Sequence, residues 1–221
     1  MRAHLVWDWN GTLFDDTHAV VGASNAAFAE YGLAPLTVAE YRALYRIPVI
    51  DFYEDRLGRR PSPEEWQRMD AVFHEHYEER RDQCLLAPGA AELLAAWGAT
   101  EGRTQSLLSM YEHTQLVPLV GRLGLASHFL RIDGRDGTSG ISGKGAYLER
   151  HLRRLAQQVD PARTVLIGDV PDDAHAAAQA GIKAVLHTGG SADGAELRRV
   201  GVPVADSLAE AVSLAQDLVA D

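Results

Sequence analysis

The chain has 221 residues, 46% of them hydrophobic, and a formal net charge of −10 at pH 7. Such apolar content is ample for a packed core and argues against disorder. The negative charge, with no Lys/Arg stripe interleaved with aromatics, excludes a nucleic-acid partner.

A lone Cys84 permits no intrachain disulfide, the first residues lack a basic leader, and no apolar run reaches the ~18 residues of a membrane span. The expectation is a reducing, cytoplasmic setting with no membrane partner. The first element is the apolar run His4-Leu5-Val6-Trp7, a short strand that runs into Asp8-Trp9-Asn10-Gly11-Thr12. A carboxylate at a strand end, just before a turn-forming Gly, is placed to act as a covalent nucleophile.

From about Asp16 to Leu86 the strand–helix alternation stops. Helical patterns over Ala23–Tyr31, Val38–Arg46 and Pro63–Arg81 follow, punctuated by Gly32, Pro35, Pro48, Gly58 and Pro61. Pro88-Gly89 restarts the alternation. A helix is expected from Pro88 to Trp97, a strand over Thr104–Ser109 ending in a hydroxyl, and a helix from Glu112 to Leu123. A strand near Phe129–Ile132 follows, then a helix from Lys144 to Gln158 with an apolar stripe at Leu148, Leu152, Leu155 and Val159. The strand Thr164–Gly168 runs into the acidic loop Asp169-Val170-Pro171-Asp172-Asp173 and a helix to Ala180. Strands at Lys183–His187 and Val202–Val204 and a helix over Ser207–Val219 complete the pattern. The expected fold class is α/β, a doubly wound, mostly parallel, Rossmann-like sheet. Residues 1–15 and 87–221 form its core, and 16–86 form an inserted helical domain. In such a sheet ligands bind beyond the carboxyl ends of the strands, where Asp8, Ser109, Lys144 and Asp169 would gather.

These motifs, in this order, resemble those of the haloacid dehalogenase-like hydrolases, in particular the phosphatase branch that contains phosphoglycolate phosphatase-like proteins. The family's Asp-x-Asp-Gly-Thr motif falls on Asp8–Thr12, its Ser/Thr motif on Ser109, its Lys motif on Lys144 and its acidic motif on Asp169 with Asp172 and Asp173. The resemblance implies that residues 16–86 are a helical cap closing over the strand ends. It also implies that the chain hydrolyses a small phosphorylated metabolite through an aspartyl-phosphate on Asp8. An anionic nucleophile facing an anionic ester needs a cation between them, and hard oxygen donors suit Mg²⁺. The resemblance assigns that ion to Asp8, the main-chain carbonyl of Asn10 and Asp169. Asp173, four residues after Asp169, matches the family's second acidic position as a metal or water-shell contact, while Asp172 fits a simple helix cap equally well.

Lys144, one of two lysines beside nineteen arginines, is expected to neutralise Asp8 and phosphate. Ser109 is expected to hold a phosphate oxygen at a helix mouth, with Thr12 acting similarly. In the cap, Arg46 and the aromatics Tyr41, Tyr45, Phe52 and Tyr53 are candidates to contact a leaving group, although an aromatic stripe at helical spacing is usually core. His18 is set aside as a surface or helix-start residue.

Asn10 departs from the pattern. In the family the second Asp protonates the leaving oxygen and then activates water, work worth roughly 10²–10⁴ in rate, and an amide does neither. Attenuated, leaving-group-dependent hydrolysis is therefore expected. Asn followed by flexible Gly is also prone to deamidation, which would restore an acid at position 10. Two other readings compete: a phosphometabolite-binding or regulatory protein that lost turnover, and a metal-free 2-haloacid dehalogenase. The clustered acids argue against the second, because they repel a carboxylate substrate.

Overall fold

The computed structural model describes residues 3–137 and 143–220. Its chain divides into two compact units: the segment up to Phe14, Leu86–Gly190 and the segment from Gly194 in one, and Asp15–Leu85 with Ser191–Asp193 in the other. Strand β1 (Ala3–Trp7) is buried over its whole length. It is followed by β2 (Phe14–Asp15).

The second unit holds α1 (Thr17–Ala29), α2 (Val38–Leu44), α3 (Val49–Leu57) and α4 (Pro63–Arg81). Thr37 with Glu40, and Ser62 with Glu65, form reciprocal capping boxes that satisfy the first N–H groups of α2 and α4. Helix α3 has no counterpart among the helices expected from sequence. Pro48 and Gly58, read there as breakers, are its N- and C-caps, Gly58 with φ +69°. Phe28, Tyr41, Phe52, Tyr53 and Met69 form the core of this unit. Of the aromatic stripe, Tyr41, Phe52 and Tyr53 are buried, with Phe52 packed edge-on against both tyrosines, as rings recurring at helical spacing do when they face the interior.

The first unit resumes with β3 (Leu85–Leu86), which pairs with β2. Next come α5 (Ala90–Ala99), β4 (Arg103–Glu112), α6 (His113–Arg122), β5 (Ile132–Arg135) and α7 (Lys144–Leu155). The chain ends with β6 (Thr164–Gly168), α8 (Pro171–Gln179), β7 (Lys183–His187), α9 (Gly194–Leu197), β8 (Val204–Ala205) and α10 (Leu208–Ala220). Six strands form a parallel sheet in the order β5-β4-β1-β6-β7-β8. The central strand β1 therefore has β4 on one side and β6 on the other, with His4 opposite both Thr104 and Thr164.

Alternation along the strands sorts the side chains onto two faces. Trp7 donates its indole N–H to Gln105, whose amide donates in turn to the Leu94 carbonyl of α5. His4 and Ser106 point to the opposite face, against α7. Among the described residues no helix is long and apolar enough to cross a membrane.

Candidate active site

The backbone of Asp8 extends the β1–β6 ladder by one bond, its N–H donating to Ile167 O at 2.9 Å, so its side chain emerges at the carboxyl edge of the sheet. A tight loop follows, closed by Thr12 N–H and Phe14 N–H donating to Trp9 O, with the Trp9 and Phe14 rings stacked 5.0 Å apart. Gly11 serves two needs in that loop. Its φ of +69° is the left-handed region, and a Cβ there would stand 2.4 Å from Asp169 Oδ2. On its other side Asp169 meets Gly190, where a Cβ would come within 2.1 Å of the same oxygen. The Asp169 carboxylate thus sits between two glycines from the loops after β1 and β7.

The acidic loop is closed by Asp173, whose Oδ2 accepts the N–H groups of Asp169 and Val170, both at 3.1 Å, at the start of α8. Lys144, the first residue of α7, pairs with Asp8 and with Asp173 Oδ1. Oxygens of Asp8, Asp169 and Asp173 lie within 4.8 Å of one another, a spacing that suits a shared cation. All four side chains are buried.

Three carboxylates against one ammonium would leave two negative charges in a buried site. The structure answers that excess at Asp8: burial, with Asp173 adding, pushes its carboxyl up to about 7 against the pull of Lys144. Burial works against the Lys144 ammonium, yet Asp173 and Asp8 hold it above the ordinary lysine range. Burial and then Asp173 also raise the half-buried Asp172 carboxyl.

The structure brings Asp8, Lys144, Asp169 and Asp173 together, with Asn10 and Ser109 joined to each other at the same edge. Ser109 Oγ donates to Asn10 Oδ1 at 3.3 Å and accepts the Tyr111 N–H at 3.0 Å. Strand β4 does not stop at Ser109 as expected but runs on to Glu112, with a register shift between Leu108 and Glu112. Thr12 is fully buried and its hydroxyl donates toward Asp169 Oδ1 at 3.4 Å, so its bond is to the acidic loop. Arg46 lies in the helical unit, where its guanidinium pairs with Asp55 and donates to Asp51 O. Sequence reasoning missed Gly168 and Gly190, whose hydrogens face Asp173 and Asp169. Gly190 was visible only as half of a Gly-Gly turn signal after a strand.

A family model for haloacid dehalogenase-like hydrolases matches residues 3–181. The phosphoglycolate phosphatase of Synechococcus elongatus is 29% identical over 197 residues, covering 86% of this chain and 85% of that protein. A second phosphoglycolate phosphatase, from Chromobacterium violaceum, is 26% identical over 199 residues, covering 87% and 88%. Among solved structures, a haloacid dehalogenase-like family hydrolase from Streptococcus pneumoniae superposes with a TM-score of 0.80 at 18% identity, over 96% of this chain and 97% of that one, and so shares the fold.

Proposed function

Because the chain belongs to the haloacid dehalogenase-like hydrolases, we propose that it is a Mg²⁺-dependent phosphatase of a small phosphorylated metabolite, with Asp8 as nucleophile. The observation that carries this reading is the buried meeting of Asp8, Asp169 and Asp173 with Lys144 at the carboxyl edge of β1 and β6. Hard carboxylate oxygens, an uncompensated negative charge and a carboxylate walled by Gly11 and Gly190 fit a small divalent cation. Asp8, the Asn10 carbonyl and Asp169 would hold it, with Asp173 as the outer contact. Bound there, Mg²⁺ supplies neutralising charge between ester and nucleophile.

In this reading an Asp8 carboxylate oxygen attacks phosphorus, and the bond from phosphorus to the leaving oxygen breaks with its electron pair staying on that oxygen. Water then attacks the phosphorus of the aspartyl-phosphate. The bond to Asp8 breaks, the carboxylate is regenerated, and the proton from water passes to phosphate or solvent. Lys144 orients Asp8 and offsets the charge of the phosphoryl group, and Ser109 holds one of its oxygens. Residues 16–86 act as the cap, with Arg46 as a substrate contact. Asn10 lends no proton to the leaving oxygen, so turnover is attenuated and depends on the leaving group.

Phosphoglycolate is the first ester to assay, since two relatives are phosphatases of that compound. The test is a panel of phosphate esters with Mg²⁺ or with chelator, run beside Asp8→Asn. Hydrolysis that needs both Mg²⁺ and Asp8 is expected. Hydrolysis that survives in Asp8→Asn, or binding of esters with no turnover on any of them, contradicts the proposal.

A further inference from the structure

Away from the carboxylates, an unbroken chain of polar groups is buried between the sheet and α7. Thr104 Oγ1 meets His4 Nδ1 at 2.8 Å, His4 Nε2 meets Ser106 Oγ at 2.8 Å, and Ser106 Oγ meets His151 Nε2 at 2.8 Å. His151 Nδ1 meets Asp133 Oδ2 at 2.7 Å, and Arg131 and Arg154 close on Asp133 from outside. His4, Ser106 and His151 are fully buried.

Chemistry fixes the direction of every bond. Burial alone would raise the Asp133 carboxyl, but His151 and Arg131 hold it below the ordinary carboxylate range, so it only accepts. His151 must donate from Nδ1. Burial keeps that ring neutral, so Nε2 accepts the Ser106 hydroxyl proton. Ser106 Oγ then accepts from His4 Nε2–H, and His4 Nδ1 accepts from Thr104. Reversing any one bond leaves a buried donor facing a donor, or an acceptor facing an acceptor.

The placement matters for the site. His4 and Asp8 lie four residues apart, about 13 Å along a strand, and Lys144 and His151 lie seven apart, about 10 Å along a helix. Helix α7 is therefore tied to the β1 side of the sheet at two points of nearly matched spacing: Lys144 on Asp8 at one end, and His151, through Ser106, on His4 at the other. The stripe Leu148, Leu152 and Leu155 packs α7 on the sheet, but apolar contacts tolerate small slides that hydrogen bonds do not.

We propose that His151 is a positioning residue, the second anchor that fixes the register of α7 and thereby sets the Lys144 ammonium on Asp8. The proposal takes from the preceding section only that Lys144 belongs to the site, and its test reads the ammonium and not turnover, so it fails separately from the phosphatase reading.

With only two lysines, Lys144 and Lys183, the protein labelled with ¹⁵N-lysine has two side-chain nitrogen signals, one from a buried group and one from an exposed group. In His151→Leu, the Lys144 signal is expected to shift and its ammonium protons to exchange with water roughly tenfold faster, the factor carried by one lost charge-assisted bond, with Lys183 unmoved. His151→Gln, which still donates to Asp133 and accepts from Ser106, restores most of the protection. Ser106→Ala, a milder cut of the same chain, gives a smaller change in the same direction and decides the matter should His151→Leu not fold. Leu197→Ala, fully buried in α9, controls for general loss of stability. An unchanged Lys144 signal in folded His151→Leu or in Ser106→Ala overturns the proposal, and so does an equal change in Leu197→Ala.

Discussion

Asn10 presents an amide beside Ser109, two residues from a carboxylate that shares its proton affinity with Lys144 and Asp173. If position 10 is where a proton must be given and taken, Asn10→Asp should raise kcat on alkyl phosphates by roughly 10²-fold and change good leaving groups far less. Steady-state kinetics on a series of esters of graded leaving-group pKa reads this, and equal or lower turnover in the variant contradicts the assignment. The raised Asp8 carboxyl makes a second prediction. Folded protein keeps a proton on Asp8 that the unfolded chain releases near pH 4, so this stabilisation is full below pH ~4 and is lost as pH rises through about 7. A cation held at Asp8 would replace that proton, so Mg²⁺ should raise the melting temperature more at pH 8 than at pH 5.5. An equal shift at both values, in thermal unfolding followed by fluorescence, contradicts the charge argument. At this scale the meeting of Asp8, Lys144 and the acidic loop was legible, because Asp8, Lys144 and Asp169 each stand at a strand end or helix start. Gly190 was not legible, since its reason is Asp169, twenty-one positions earlier in the chain, whose Oδ2 a Cβ at position 190 would meet at 2.1 Å.

Among the elements, those with strong periodicity were read well: β1, α4, β6 and β7 fall where the pattern puts them. Helix α1 was read six residues too short at its start, because Thr17–Gly22 has few large apolar residues and Asp16 caps it without a side-chain bond. The short elements β2, β3 and α9 carry too few residues to show any period. The loops carry the site, and they are constrained by space as much as by charge. Gly190→Ala would drive Asp169 from its place, since the new Cβ meets the Cβ and Cγ of Asp169 as well as its tip. The half-saturating Mg²⁺ concentration should rise roughly ten- to hundredfold while far-UV circular dichroism is unchanged. An unaltered Mg²⁺ titration would show that Asp169 does not hold the cation.

For the whole molecule, the parallel α/β sheet was legible in the alternation of strand and helix. The buried polar chain under the sheet was not, because nothing in the sequence marks His4, Ser106, Asp133 and His151 as neighbours. That chain shapes the response to acid. Burial, then His151, depresses His4 to about 3, so the unfolded chain takes up a proton as pH falls through ~6.5 while the folded protein does not. Its stabilisation is present above pH ~6.5 and is lost toward pH 3, by about 1.4 kcal/mol per pH unit. Asp8 acts in the opposite sense over part of this range, so the quantity to measure is the difference between wild type and His4→Gln. Urea unfolding at pH 7 and pH 5 should show a steeper fall for wild type, and parallel falls would contradict a neutral buried His4.

The most direct measurement is to mix the protein with Mg²⁺ and a phosphate ester, quench in acid and locate any phosphoryl group by peptide mass spectrometry. A phosphoryl group on Asp8, released by hydroxylamine and absent from Asp8→Asn, is the predicted result. Ester hydrolysis that proceeds with no phosphoryl group ever found at position 8, and equally in Asp8→Asn, would contradict the account.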